Sequence, residues 1–371
     1  MAHLAHLGHR DDDAHGEVRA EPGWGTTADG SPVTRWVLDD GTLQVGLVEH
    51  GARIQSVLAP DRDGVRADVA LGFADLAPYE GKGRSFGATV GRFANRIAGG
   101  TFTLDGRTSS IPTTDRGNAI HGGPRPFSQA LWTSHPVEGL CGVRFSLLSP
   151  DGDNGFPGAL SVHVQYVLHG GVLTVRTSAT TDAPTVVNLT NHAYWNLAGD
   201  GSGTVDAHLV QVAAQAFLPV DDSGLPTGER RPVAGTPFDL TEPVPVGYRL
   251  RDGKESGDEQ VARGSGFDHC WVLAEVPGGE REPAFAARVE EPVSGRTLEV
   301  WTDQPGIQVF TGGTLAGTLV GKAGVAYGPR AGLALEAQAF PDAPNHPDFP
   351  TTVLREGDEF LSVTDFRFGV S

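Results

Sequence analysis

Four short stretches set polar side chains among apolar flanks in a way that a plain core would not need. They are Gly91-Arg92-Phe93-Ala94-Asn95-Arg96-Ile97, Asn118-Ala119-Ile120-His121-Gly122-Gly123, Asn188-Leu189-Thr190-Asn191-His192-Ala193-Tyr194-Trp195-Asn196-Leu197, and Leu333-Ala334-Leu335-Glu336-Ala337-Gln338 with Phe340-Pro341-Asp342 behind it. Gly266-Phe267-Asp268-His269 and Pro305-Gly306-Ile307-Gln308-Val309-Phe310 belong with them. Together they hold the carboxylates Glu336 and Asp268, the imidazoles His121, His192 and His269, the Arg96 guanidinium, the amides Asn95 and Gln308, and aromatic neighbours. Such a set suits a neutral polyol, which needs many hydrogen bonds and a ring to stack against. It does not suit a phosphate group, because no Walker A sequence and no Gly-rich loop opening a helix is present. There is no G-x-S-x-G, and neither cysteine has a base nearby in sequence, so a nucleophile is not indicated. Zinc would ask for a spacing such as H-E-x-x-H or C-x-x-C, which the chain lacks. No metal and no cofactor is expected.

Taken singly, each residue has a plain alternative. His121 beside two glycines also reads as a turn residue, and Arg96 as half of a structural ion pair. In an extended run Glu336 shares a face with Ala334 and Gln338, while Leu333 and Leu335 point the other way. A carboxylate among small residues suggests a lined cleft, with an exposed strand face as the alternative. His192, between Asn191 and an aromatic pair, reads equally as a ligand-facing group or a satisfied core histidine.

The elements that must position these groups are short. The 371 residues include 51 glycines and 26 prolines, which interrupt almost every 12-residue window and leave little room for long helices. Strand-length apolar or alternating runs recur at 42–48, 101–104, 143–148, 160–168, 172–178, 208–212, 270–273, 297–301 and 332–338. Turn signals separate them, and 160–168 and 172–178 read as a hairpin around residues 169–171. Many strands without a βαβ rhythm predict an all-β fold, a large antiparallel β-sandwich. The Pro-rich stretch 218–248 has apolar anchors and reads as an ordered excursion. The acidic stretch 252–259 reads as a mobile surface loop. Residues 24–371 are expected to form a single domain.

Residues 1–23 contain four histidines and an acidic triplet but no apolar run of a signal peptide. They are expected to be a disordered leader, with metal binding by His3, His6 and His9 as the sharper alternative. The formal charge of −18 and the absence of a basic stripe speak against nucleic acid and mildly against a heavily anionic substrate. No apolar run approaches 18 residues, so no membrane partner is expected. Two cysteines, Cys141 and Cys270, favour a reducing, cytoplasmic setting. A small neutral polyol is the expected partner, and the chain is expected to be a monomer or a homodimer.

At the stretches G-R-F-A-N-R-I, N-A-I-H-G-G, N-L-T-N-H-A-Y-W-N-L, G-F-D-H, P-G-I-Q and L-E-A-Q-A-F-P-D-A-P-N-H-P-D-F-P, the sequence resembles the aldose 1-epimerase (galactose mutarotase) family, in the family's order and from about Trp24 to the end. The resemblance implies the galactose mutarotase-like β-sandwich. It implies that His192 is the general acid that protonates the sugar ring oxygen. Glu336 is implied as the general base at the C1 hydroxyl. Asn95, Arg96, His121, Asp268 and Gln308 are implied as substrate-binding residues. The chain departs from the family at Ala337 and Ala339, where many members read E-T-Q-H-F, and at Phe310 and Gly313, where many have Tyr and Asn. The activity implied is interconversion of the α and β anomers of free hexoses such as galactose and glucose. Alternatives are a hexose-6-phosphate 1-epimerase, a non-catalytic sugar-binding homologue, and a glycosidase using Asp268 and Glu336. For the acid–base reading the expected pH profile is a bell whose acid limb reports the carboxylate and whose alkaline limb reports the imidazole.

Overall fold

A strand with one apolar face has to bury that face, and the alternating runs show which. In the computed structural model, which describes residues 16–273 and 282–371, the strand Leu160–His169 buries Leu160, Val162, Val164, Tyr166 and Leu168 on one side. It returns as Val172–Thr181 through Gly170 and Gly171, both at positive φ. Two such residues give a tight turn whose twist matches the flanking strands.

That hairpin lies in a nine-stranded antiparallel sheet of spatial order Thr133–Pro136, Gly142–Ser149, Leu160–His169, Val172–Thr181, Phe360–Val370, Arg296–Thr302, Ala284–Glu290, Leu209–Val212 and Val244–Pro245. A six-stranded antiparallel sheet runs Tyr194–Trp195, Leu333–Gln338, Gly306–Phe310, Asp268–Leu273, Ala214–Leu218 and Arg231–Pro232. A five-stranded sheet is formed in chain order by Glu17–Thr26, Pro32–Asp39, Gln44–Val48, Arg53–Pro60 and Arg66–Asp68. One large core joins the three, with Val164, Tyr166 and Phe366 from the first, Trp271, Ile307, Val309 and Leu335 from the second, and Leu47, Ile54 and Val57 from the third. The all-β architecture expected from the strand spacing is the one found. The helices are short, and among the described residues none is long and apolar enough to cross a membrane.

Two expectations are corrected. The acidic stretch 252–259 is not a mobile loop: it spans the end of the helix Val246–Ser256, a two-residue junction, and the start of the helix Glu259–Arg263. Gly257 in the left-handed region ends the first helix, and Asp258 caps the second by accepting hydrogen bonds from the Gln260 and Val261 amides. Their charges face water, while Gln260 is buried and exchanges two hydrogen bonds with the Val220 backbone, tying the helices to the Pro-rich excursion. The boundary of the leader also moves. Residues 17–23 belong to the strand Glu17–Thr26, whose Val18 packs on the main core. Residues 1–15, with His3, His6 and His9, lie outside the described residues.

The Glu17–Thr26 strand pairs with Pro32–Asp39, and its Glu21 carboxylate accepts from the Arg35 guanidinium at 2.6 Å. A chain beginning at Trp24 loses the 17–21 half of that ladder. Its melting temperature is expected to fall by about 2 °C or more relative to a chain beginning at Gly16. Equal melting temperatures in a thermal unfolding scan would show that this edge contributes nothing.

Candidate active site

In the six-stranded sheet the registers Leu218↔Cys270, Cys270↔Gln308 and Gln308↔Glu336 put these four residues in one row across neighbouring strands. The next row holds Asp268, Phe310, Ala334 and Tyr194. Strand alternation sends Leu335, Val309 and Trp271 to the opposite face, into the main core. The sheet is thus apolar on one face and carries Glu336, Gln308 and Asp268 on the other. Glu336 is 2% exposed, so the exposed-face alternative does not hold.

His192 reaches this face from a separate segment. Its amide donates to Ala88 O and its carbonyl accepts from the Gly87 amide, both at 2.9 Å. The adjacent Asn191 side chain donates to Gly87 O at 2.8 Å and accepts from the Ala193 amide at 3.0 Å. The Tyr194 ring packs against the imidazole at 4.9 Å and is itself stacked on Phe86 at 4.4 Å. So held, His192 places Nε2 3.6 Å from Glu336 Oε1. That is beyond a hydrogen bond. His192 Nδ1, Glu336 Oε2 and Gln308 Oε1 are buried and have no hydrogen-bond partner, whereas buried polar atoms in proteins nearly always do. His192 is therefore not the satisfied core histidine of the plain reading.

The Asn95–Arg96 segment and His121 close the site from a third side. Asn95 and His121 both have positive φ, 61° and 53°. They exchange contacts: the His121 amide donates to Asn95 O at 2.9 Å, and His121 Nδ1 accepts from the Asn95 amide at 3.2 Å. With Nδ1 an acceptor, the neutral ring carries its proton on Nε2. Its ring stands edge-on to His192 at 5.5 Å. Arg96 donates through Nε to Asp115 Oδ2 at 2.8 Å, so the ion-pair reading of Arg96 is correct as far as it goes. Among the described residues, this carboxylate, the Asn95 side chain and Gly224 O engage the guanidinium. Gln308 Nε2 donates to Asp268 Oδ1 at 2.7 Å, orienting both groups.

Burial sets the electrostatics. It pushes the Glu336 carboxyl well above the ordinary carboxylate range, helped by the nearby Asp268 charge and opposed by Arg96. Burial also pulls His192 down to about 4. His121 is held well below its ordinary value by burial, then by His192, Arg96 and Arg84. The proton of the pair therefore rests on Glu336, with neutral imidazoles beside it. This reverses the expected limbs of a pH profile: the imidazole, not the carboxylate, takes up the proton on the acid side. The Tyr194 hydroxyl is raised well above its usual value by burial and by Glu336 and Asp268, and stays a neutral donor.

His192, Glu336, Asn95, Arg96, His121, Asp268 and Gln308 are brought together. His269 is not. It follows Asp268 in the same strand and so faces the core, where it lies edge-on to Phe238 at 4.7 Å and contacts Gln260 at 3.2 Å. Among the departures, Phe310 alone lies on the site face, next to Tyr194 at 6.0 Å. Ala337 faces the core and lines a cavity of about 20 Å³ with Thr177, Thr190 and Thr364. Ala339 is bonded through its backbone to Asn188, and at Gly313 a Cβ would lie 1.9 Å from Ser265 O. Tyr194 and the half-buried Arg84 were not singled out in the sequence. Tyr194 carried a signal, two residues after His192 in an extended run; Arg84 carried none.

Comparison with known proteins gives the site its context. The family described as aldose 1-epimerase matches residues 34–367. The galactose mutarotase of Rattus norvegicus is 45% identical over 342 residues, covering 92% of this chain and 96% of the rat protein. The aldose 1-epimerase of Escherichia coli K12 is 35% identical over 344 residues, covering 92% and 96%. The crystal structure of galactose 1-epimerase from Lactobacillus acidophilus superposes with a TM-score of 0.81 at 26% identity, covering 96% of this chain and 99% of that one.

The loop that holds His192 has no room to change. A Cβ at Gly87, where φ is 67°, would lie 1.8 Å from Ile54 O, and Gly87 both donates to His192 O and accepts from the Ile54 amide. Gly87→Ala is expected to lower the melting temperature and, in the folded fraction, to lower kcat by moving His192. Unchanged turnover per folded molecule would show that the imidazole is not placed by this loop.

Proposed function

This chain belongs to the aldose 1-epimerase family, and from that premise we propose that His192 and Glu336 are its acid–base pair, acting on free hexoses such as galactose and glucose. The observation that carries the reading is the buried, unbonded approach of His192 Nε2 to Glu336 Oε1 at 3.6 Å. Mutarotation makes and breaks bonds at two oxygens of one carbon, O1 and O5. An acid and a base that serve them have to stand side by side with lone pairs and protons free, as these two do.

Ring opening then runs as follows. Glu336 takes the proton of the O1 hydroxyl, the O1 electrons form the C1 carbonyl, the C1–O5 bond breaks, and O5 takes a proton from His192. The aldehyde turns about C1–C2. On closing, O5 attacks the other face of C1, its proton returns to His192, and Glu336 returns a proton to O1. Protons and electrons balance without a cofactor. The opening form, carboxylate with imidazolium, holds the same single proton as the resting form, carboxyl with imidazole. The pair therefore changes between them without drawing on solvent.

Asn95, Arg96, His121, Asp268 and Gln308 hold the sugar in this reading. His121 offers an Nε2 proton, Arg96 a guanidinium, and Asp268 with Gln308 an acceptor and amide already oriented toward each other. Tyr194 and Phe310 supply ring surface. A glycosidase would use Asp268 and Glu336 as its pair, but Asp268 is engaged with Gln308 while Glu336 faces His192. Cytoplasmic residence is part of the proposal, supported by two cysteines that are both buried and unpaired. A single domain from about residue 17 onward is also proposed, supported by the one core shared by its three large sheets.

Glu336→Gln keeps the shape and loses the base, so kcat measured by polarimetry on fresh α-D-galactose is expected to fall roughly 10²–10⁴-fold while sugar still binds. His192→Asn is expected to lower kcat by a similar factor with a smaller change in KM. A folded variant of either kind that keeps a tenth of the wild-type kcat would remove that residue from the pair.

The one-proton pair is lost on the acid side when His192, held at about 4, also becomes protonated. It is lost on the alkaline side when Glu336, raised by burial, gives up its proton. On its acid side the enzyme-catalysed kcat/KM is therefore expected to show no loss near pH 6.5, the ordinary imidazole range, and to fall only toward the lowered His192 value of about 4. A fall in rate toward acid centred there, with the buffer-catalysed rate subtracted, would mean that the imidazole titrates as a solvent-exposed one.

A further inference from the structure

Asp342 is absent from the acid–base reading, yet it is 3% exposed and fully engaged with the segment that holds Asn95 and Arg96. The strand Arg96–Ile97 pairs on one side with Ala119–Ile120. On its other side Arg96 C=O and the Ala98 amide point the same way, as the two groups that would bond a neighbouring strand. No strand lies there; Asp342 takes both. Its own amide donates to Arg96 O at 2.8 Å, and its Oδ1 accepts from the Ala98 amide at 2.9 Å. The carboxylate is fixed in turn by the Asn345 side-chain amide, which donates to Oδ1 at 2.6 Å, and by His346, whose Nε2 lies 3.4 Å from Oδ2. Its backbone sits at φ 54°, a conformation available to Gly, Asn and Asp but costly for most other residues.

Asp342 follows the end of the Glu336 strand by four residues. It therefore joins the strand that carries Glu336 to the segment that carries Asn95 and Arg96. Asn188 makes a parallel link, its side chain bonding Ala339 N and O and reaching Ala94 O at 3.2 Å. We propose that Asp342 is a positioning residue, which sets where Asn95 and Arg96 meet the sugar relative to Glu336. The proposal rests on the reading of Asn95 and Arg96 as sugar-holding residues.

Two variants keep the backbone unstrained and differ in one acceptor. Asp342→Asn retains an oxygen for the Ala98 amide; Asp342→Gly removes it and leaves the Arg96 bond. Initial rates of α-D-galactose mutarotation are followed by polarimetry well below each variant's melting temperature, with Arg96→Ala alongside. Asp342→Gly is expected to raise KM roughly tenfold, with kcat changed by less than about threefold, and Asp342→Asn to stay within about twofold of wild type in KM. In the double variant with Arg96→Ala the two KM effects are expected not to multiply. If Asp342→Gly only lowers the melting temperature and leaves KM unchanged while Arg96→Ala raises it, Asp342 is structural and the inference is overturned. If Arg96→Ala itself leaves KM unchanged, the sugar-holding reading of Arg96 fails instead, and the inference falls with it.

Discussion

The structure depends on keeping two titratable groups, His192 and Glu336, buried, close and unbonded. Folding ordinarily satisfies buried polar atoms, and a protein left to its own stability would let these two bond or bring in other partners. Here the imidazole and the carboxyl come from different segments, each held by its own backbone hydrogen bonds, and stop 3.6 Å apart. The unspent donor and acceptor capacity is what a hemiacetal can use. Its cost to stability is borne by the surrounding sheets.

Rigid strands make that arrangement possible. The row from Cys270 through Gln308 to Glu336 is set by antiparallel registers, and a slip of one residue would send Glu336 into the core and Leu335 into the site. The other face of the same sheet is anchored by Trp271, Ile307, Val309 and Leu335 in the large core. Hydrophobic burial on one face thus fixes the phase of the polar groups on the other. The less regular segments, at 84–97 and 118–123, are attached to this frame by short side-chain and backbone links through Asn188, Asn191 and Asp342.

Low local polarity divides the work between the pair. Burial raises the carboxyl and lowers the imidazole, so the ordinary order of their proton affinities is inverted and the single proton of the pair rests on the carboxyl. The same dry setting keeps His121 neutral with a defined tautomer, which leaves an Nε2 proton to donate and no charge beside His192.

The sequence by itself determined the all-β class, the positions of strands such as Leu160–His169, Val172–Thr181 and Leu333–Gln338, and the polar groups that the site brings together. Strand periodicity and turn residues are local properties, and the alternation at 333–338 already placed Glu336 away from the leucines. The same alternation separates Asp268 from His269, since neighbours in a strand cannot share a face. Composition misled at 252–259, where a charged, Gly-containing stretch became helical because Gly257 and Asp258 terminate and cap the turns on either side. It misled again at 17–23, where pairing to Pro32–Asp39 outweighs the polar character of the segment. Only the tertiary structure decided the 3.6 Å approach of His192 to Glu336, the edge-on placement of His121, the proximity of Arg84, and the role of Asp342 as a substitute strand. Each of these joins segments that are remote in the chain, and the distances between them follow from how three sheets pack around one core, which no local pattern of residues encodes.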